Sequence, residues 1–354
     1  LGRKQRNSSF ELLRIFLMFL IIFSHFSGHS GAILNTNSLN LAISYILHIG
    51  GKIAVDCFII LSGFYLINSK FNFKKILKLY IQVLSYSVII GLIFSVMGIE
   101  KFSWYDFFPI IYSSGKYWFF AAYFLLYLFS PFLNQLINKI SKAEYTKLLC
   151  TLFVFASVIP FFTNQILLSN DFLWFTYLYL IGAFIKKYDI RIFDSKKKYF
   201  FALVILYLLI IVIDVILYKC GIIYIYNIPH YISILNSPIL LVGAILIFFF
   251  FKEMNIKNNN AINFISSLVF GIYLFHDNYL IRNIIWSDIF KVRTYFFSSP
   301  MLYLYYALKC TIIIFFIGTI IELIRKKIFE DFFFKKITTI IDKIKIGGLK
   351  NGKN

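Results

Sequence analysis

The chain has 354 residues, 60% hydrophobic and only 15% charged, with 36 Lys and Arg against 16 Asp and Glu. This composition excludes a water-soluble globular domain and places the chain among polytopic membrane proteins. The net charge of +20 invites a nucleic-acid reading, but its placement between apolar runs is that of membrane topology, and no nucleic-acid partner is expected.

The first apolar run, FELLRIFLMFLIIFSHF at 10–26, holds an arginine and a histidine eleven residues apart. At about 100° per residue they share one helix face, about 16 Å apart along the axis. Charged and titratable groups inside a bilayer are costly and mark sites. The run is long, carries Arg14 and His25 and lacks a small-residue cleavage pattern, so a retained span is expected rather than a cleaved signal peptide. Glu11, three residues before Arg14, is at the helical spacing at which its carboxylate would hold the guanidinium in place. Arg14 suits a phosphate, a carbonyl oxygen or a carboxylate. The His25 imidazole titrates near neutral pH and can take a proton from a hydroxyl, as a general base must. A structural histidine and arginine remain the competing reading.

Further spans are expected at about 46–67, 76–97, 118–137, 147–163, 172–185, 199–218, 233–251, 261–281 and 299–323, each near the length a bilayer requires. The fold class is therefore all-α, a helical bundle of about ten transmembrane helices. Most of the 36 Lys and Arg fall at the N-terminus, in 68–75 with Lys78, in 138–147, 186–198 and 252–260, and in the tail from Arg325. By the positive-inside rule both termini are then cytoplasmic.

The second span carries Lys52 and Asp56 at a four-residue helical spacing, a second expected pair. Ser62 precedes Gly63 without a nucleophile-elbow sequence around it, so the small pair reads as a close helix contact. In the loop at 98–117, Trp104, Tyr105, Phe107 and Phe108 suggest an interfacial belt. Trp118 and Tyr123 are expected to shape a wall or pocket. His276, with Asp277, stands near the outer end of its span, either lining the same cavity as His25 or as a structural interfacial histidine. Asp214 and Lys309 have no partner near in sequence. Cys57, Cys150, Cys220 and Cys310 show no paired spacing, and no His, Cys and carboxylate cluster reads as a metal site, so neither a disulfide framework nor a metal is expected. From residue 328, Ile337, Ile340, Ile341 and Ile344 form one face of an amphipathic basic helix on the inner leaflet. The expected division is a membrane domain at 1–327 and a tail at 328–354.

Four stretches in order carry a resemblance. RNSSFELLRIFLMFLIIFSHF (6–26) resembles the opening of the acyltransferase-3 family of bacterial integral membrane acyltransferases, whose signature is Arg or Lys, ten residues, then His. VDCFIILSGFYL (55–66) is similar to its second-span motif ending in Ser-Gly-Phe or Ser-Gly-Tyr. KYWFFAAYFLLYLFSPFLN (116–134) is similar to its Trp-Phe, Tyr and Pro pattern, and GIYLFH (271–276), with Tyr273 and His276, resembles its late Tyr-Leu-x-His motif. The resemblance implies transfer of an acyl group, usually acetyl from acetyl-CoA, onto a carbohydrate hydroxyl, with no tightly bound cofactor. It gives His25 the role of base and Arg14 the paired motif role. Where the family often carries Arg-Arg-x-x-Arg, this chain has Lys74, Lys75 and Lys78, which keep the charge of a donor-phosphate site but lose bidentate geometry; a topology cluster is the competing reading. Without an esterase-like domain, the chain resembles stand-alone members that modify cell-surface polysaccharides in the bacterial plasma membrane, with carbohydrate acceptor, membrane lipid and polysaccharide-assembly proteins as partners. Two other classes fit intramembrane polar residues: a transporter or flippase of lipid-linked glycans, and a non-catalytic subunit of a polysaccharide-synthesis complex.

Overall fold

The computed structural model describes residues 6–32, 38–99, 101, 117–163, 170–219 and 234–329. The expected aromatic belt at 104–108 and the tail from 330 onward lie outside these residues, as do the side chain of Asp214 and Cys220. No strand occurs among the described residues, and each of the ten expected segments contains helix. Six spans are long and apolar enough to cross a bilayer, joined by shorter apolar helices.

Helix α1 (Ser8–His29) is capped by Asn7, whose side chain accepts from the Ser9 amide. Helix α2 (Ser38–Leu66) is the central element, packed against α1 and, through its later turns, against α7 (Asp171–Lys187). It begins eight residues earlier than hydropathy suggests. The reason is that protein rather than lipid surrounds its polar first turns: Asn40 Nδ2 donates to the carbonyls of Phe296 and Ser298 at 3.0 and 2.9 Å, and Ser44 Oγ lies 2.8 Å from the Tyr303 hydroxyl. The α2–α7 contact is backbone to backbone. A Cβ on Gly63 would be driven into the Tyr179 carbonyl, and one on Gly182 into the Ile60 carbonyl, so both positions need glycine for the close approach that the Ser62–Gly63 pair suggested.

Helix α3 (Phe73–Val96) is capped by Asn72, and α4 (Trp118–Lys139) contains Pro131. Proline at this position leaves the Tyr127 carbonyl without its helical donor, and Ser130 Oγ supplies one at 2.7 Å. The next span is not one regular helix. It runs as α5 (Lys142–Phe153), a π-helical segment (Val154–Val158) and α6 (Ile159–Thr163). Pro160 frees the Ala156 carbonyl, which accepts from Asn236 Nδ2 at 2.7 Å. In lipid such repairs are what make a proline tolerable.

Helices α8 (Lys196–Lys219) and α9 (Pro238–Lys252) pack together and against α2. The ninth expected span is broken into α10 (Asn260–Ser266) and α11 (Val269–His276). The break exposes the Ser267 carbonyl, which accepts from Lys326 Nζ at 3.1 Å. Helix α12 (Pro300–Arg325) starts with Ser299 and Pro300 at its N-terminus, a common helix-start pairing. It packs along α1 and α11.

Helix α1 is fastened at both ends to the segment containing α10 and α11. At its start, Ser9 Oγ accepts from the Ile256 amide and Ser8 Oγ from the Asn259 amide, both at 2.8 Å, while Arg6 donates to the Asn263 carbonyl at 3.0 Å. At its other end His25 and His29 meet His276 and Asp277. The face of α1 that carries Arg14 and His25 is thereby turned into the bundle.

Candidate active site

A cavity of about 770 Å³ follows that face. It is lined by α1 from Glu11 to His29, about 27 Å of helix, close to the thickness of a bilayer's hydrocarbon core. Arg14 and His25 both line it, as the eleven-residue spacing predicts. One end is basic, with Arg6, Arg14, Lys75, Lys78 and Lys326 around the single carboxylate of Glu11. The opposite end holds His25, His29 and His48 together with Lys52, Asp277 and Arg282.

The wall between these ends is aromatic. Trp118, Phe119 and Tyr123 of α4 line the cavity with Phe270 and Tyr273 of α11. Phe119 stacks on Tyr123 with an interplanar angle of 7°, and its ring lies 5.9 Å from that of Tyr273. Such rings offer apolar faces with few polar atoms. Ser62 also lines the cavity, but its hydroxyl donates to the Phe58 carbonyl of its own helix at 2.9 Å.

Hydrogen bonding fixes the protonation pattern of the histidine end. His276 Nδ1 is 2.6 Å from the Ile272 carbonyl, which can only accept, so Nδ1 carries the proton in the neutral ring. His276 Nε2 is then the acceptor, and it lies 2.9 Å from His25 Nδ1, which must donate. The basic lone pair of His25 is left on Nε2, on a residue that lines the cavity while His276 stands fully buried behind it. The Asp277 carboxylate accepts from His29 Nε2 at 2.9 Å and lies 3.8 Å from His25 Nδ1, where it stabilises a positive charge arriving on either ring.

Three sequence expectations are corrected. Glu11 does not pair with Arg14: no ion pair joins them, and the carboxylate accepts a very short hydrogen bond from Ser266 Oγ across the α1–α10 seam. Lys52 and Asp56 do not pair either, because Asp56 is fully buried behind the cavity wall and accepts from Trp174 Nε1 at 2.8 Å. His276 supports the cavity from behind rather than lining it. Of the three lysines after α2, Lys75 and Lys78 line the basic end and Lys74 does not.

Sequence reasoning passed over His29, Arg6, Lys326 and the pair Glu322–Arg325. His29 follows His25 by four residues, on the same helix face. With Asp277 they place three ligand-type atoms within 4.8 Å of one another, a cluster that spacing along the chain did not suggest; their hydrogen bonds to one another and to His276 already engage the atoms that face inward. Glu322 and Arg325 form a buried two-point ion pair with N–O distances of 2.7 Å. Gln82 Nε2 and the Tyr86 hydroxyl of α3 also donate to the Glu322 carboxylate, at 3.0 and 2.9 Å, and Gln82 lines the cavity.

Residues 7–337 match the family model described as an acyltransferase domain, Acyl_transf_3. No curated protein and no solved structure matches the chain.

Proposed function

The chain belongs to the acyltransferase-3 family, a membrane acyltransferase by that membership, and from this premise we propose that it transfers acetyl from acetyl-CoA to a hydroxyl of a cell-surface polysaccharide or its lipid-linked precursor. The observation that carries this reading is the single cavity with a basic end at Arg14 and a histidine end at His25.

With the basic end cytoplasmic, as the positive-inside rule expects, the donor's phosphates meet Arg14, Lys75, Lys78, Arg6 and Lys326. The separation of about 16 Å between Arg14 and His25 is then bridged by the extended pantetheine arm along the aromatic wall. The acceptor hydroxyl meets His25 at the other end. His25 Nε2 takes its proton as the oxygen adds to the thioester carbon, and the Asp277 carboxylate stabilises the imidazolium that results. Collapse expels the CoA thiolate, which takes the proton back from His25. Donor and acceptor thus come from opposite faces of a bacterial plasma membrane and meet inside the bundle.

The test is mass spectrometry of surface glycans in cells with the intact gene, without it, and with His25→Ala at equal protein level. Loss of acetyl groups in the last two is expected. Full acetylation with His25→Ala removes the base assignment. Loss of glycan export at constant acetyl content per chain would replace acyl transfer by transport.

A further inference from the structure

Two cations at the histidine end have no part in the proton transfers above. Lys52 of α2 and Arg282, just beyond Asp277, line the cavity there, and both are half-buried. The register of α1 against α2 sets the height of Lys52. A Cβ on Gly28 would meet the His48 ring, and one on Gly51 would fall on the Ser24 side chain. In this antiparallel pairing Lys52 stands within one helical turn of His25 along the bundle. Arg282 is in electrostatic range of the Tyr273 hydroxyl, which is hydrogen-bonded to Asp277. Both cations therefore stand beside the base.

Neither is neutralised by a contact: among the described residues, neither forms an ion pair or a side-chain hydrogen bond. Lys52 has Asp171, Asp56 and Asp277 in electrostatic range, but Asp56 accepts from Trp174 and Asp277 from His29, and Asp171 does not line the cavity. Charges inside a membrane bundle are costly and mark ligand paths. Topology gives no reason for these two, because the positive-inside rule depletes cations from the outward side. The donor's phosphates give none either, since they are met at the other end, about 16 Å away along α1.

A neutral sugar calls for a different lining. Its hydroxyls donate as well as accept, and carboxylates and amides are the side chains that best receive those protons. Among the described residues this end offers one carboxylate, Asp277, already bonded to His29, and no amide side chain. Resting on the acyl-transfer reading above, we propose that the acceptor is an anionic glycan, whose carboxylate or phosphate is held by Lys52 and Arg282 while a hydroxyl of the same or the adjoining sugar meets His25. Arg282 supplies a two-point fork for either anion and Lys52 a mobile point charge. The cavity then has two anion sites, one for the donor and one for the acceptor, with the aromatic wall between them.

The experiment uses the full chain in lipid nanodiscs at saturating acetyl-CoA. Two matched acceptor pairs are compared, a uronic-acid oligosaccharide with its methyl ester and a methyl glycoside 6-phosphate with its dimethyl ester. Each pair shares its hydroxyls and differs in charge, so the pair that discriminates identifies the anion. The charged member of one pair is expected to be favoured in kcat/KM by about 10- to 100-fold. Lys52→Gln and Arg282→Gln should each lower that ratio about tenfold, by raising KM for the charged acceptor. The unsubstituted protein gives a reading independent of any variant: KM for the charged acceptor rises with ionic strength more than KM for its ester. Equal use of both members in both pairs, or variants that slow both members at a constant ratio, overturns the anionic acceptor and leaves acyl transfer standing. Transfer to none of the four overturns both.

Discussion

His276 hands its Ile272-anchored tautomer to His25 through one 2.9 Å hydrogen bond, so the nitrogen left with a free lone pair, His25 Nε2, is selected by a residue that does not line the cavity. His276→Ala leaves the His25 Nδ1 proton without an acceptor and frees the ring to rotate. Turnover is expected to fall about tenfold or more, but by less than the 10²- to 10⁴-fold attached to losing a general base. Initial rates at saturating donor and acceptor for His276→Ala and His25→Ala, side by side, check the order.

The three lysines after α2 should separate in a donor titration. Lys75→Gln and Lys78→Gln each remove a charge from the cavity's basic end, and KM for acetyl-CoA should rise about three- to tenfold in each, equivalent to roughly 0.7–1.4 kcal/mol. Lys74→Gln should leave KM within about twofold, the effect of a screened charge off the path. A rise with Lys74→Gln equal to the others would mean that the cluster acts by overall charge.

Gly63 and Gly182 face each other's helices across α2 and α7 with no room for a Cβ. Gly63→Ala or Gly182→Ala should each cost about 1–3 kcal/mol of stability as the backbones are forced apart. The double variant should cost less than the sum, because the first methyl already opens the contact. Melting curves of detergent-solubilised protein measure both.

Glu322 and Arg325 are 0% and 5% exposed and joined at two points. Removing one partner, as in Glu322→Leu or Arg325→Met, leaves a buried charge unpaired and should cost about 3–5 kcal/mol. The double variant should recover much of that loss. Recovery of monodisperse protein after heating gives the ranking.

The histidine end gathers ligand-type groups, yet His25 Nδ1 and His29 Nε2 are spent on His276 and Asp277. Exhaustive dialysis against a chelator should leave the transfer rate unchanged. A rate lost on chelation and restored by one divalent metal would make His25, His29 and Asp277 a metal centre instead.

How far the site can be read from sequence depends on whether a contact is local. Arg14 and His25 share a cavity because helical geometry alone puts them on one face, and Ser62–Gly63 reads as a close contact because small residues are what such contacts need. Spacing along one helix says who is near, not who competes. Glu11 is within reach of Arg14 but is claimed by Ser266, and Asp56 is claimed by Trp174; neither rival is visible without the fold. The lysines show the same limit: Lys74 and Lys75 both fall at neighbour spacing to Lys78, and only the packing of α3 decides which of them faces the cavity. The breaks at Pro160 and after Ser266 were hidden because hydropathy averages over a window and does not register which carbonyl loses its donor.

The seam between α1 and the segment from Ile256 to Asp277 has a consequence for biosynthesis. Helix α1 makes inter-helix contacts at both ends with residues translated more than two hundred positions after it. Until that late segment inserts, the face of Arg14 and His25 is bordered only by α2, α3 and α4, and the side that Phe270, Tyr273 and Asp277 close stands open. A nascent chain stopped before Ile256 can place α1 in the bilayer but cannot close the chamber, which is complete only once the segment from Ile256 to Asp277 has packed against α1.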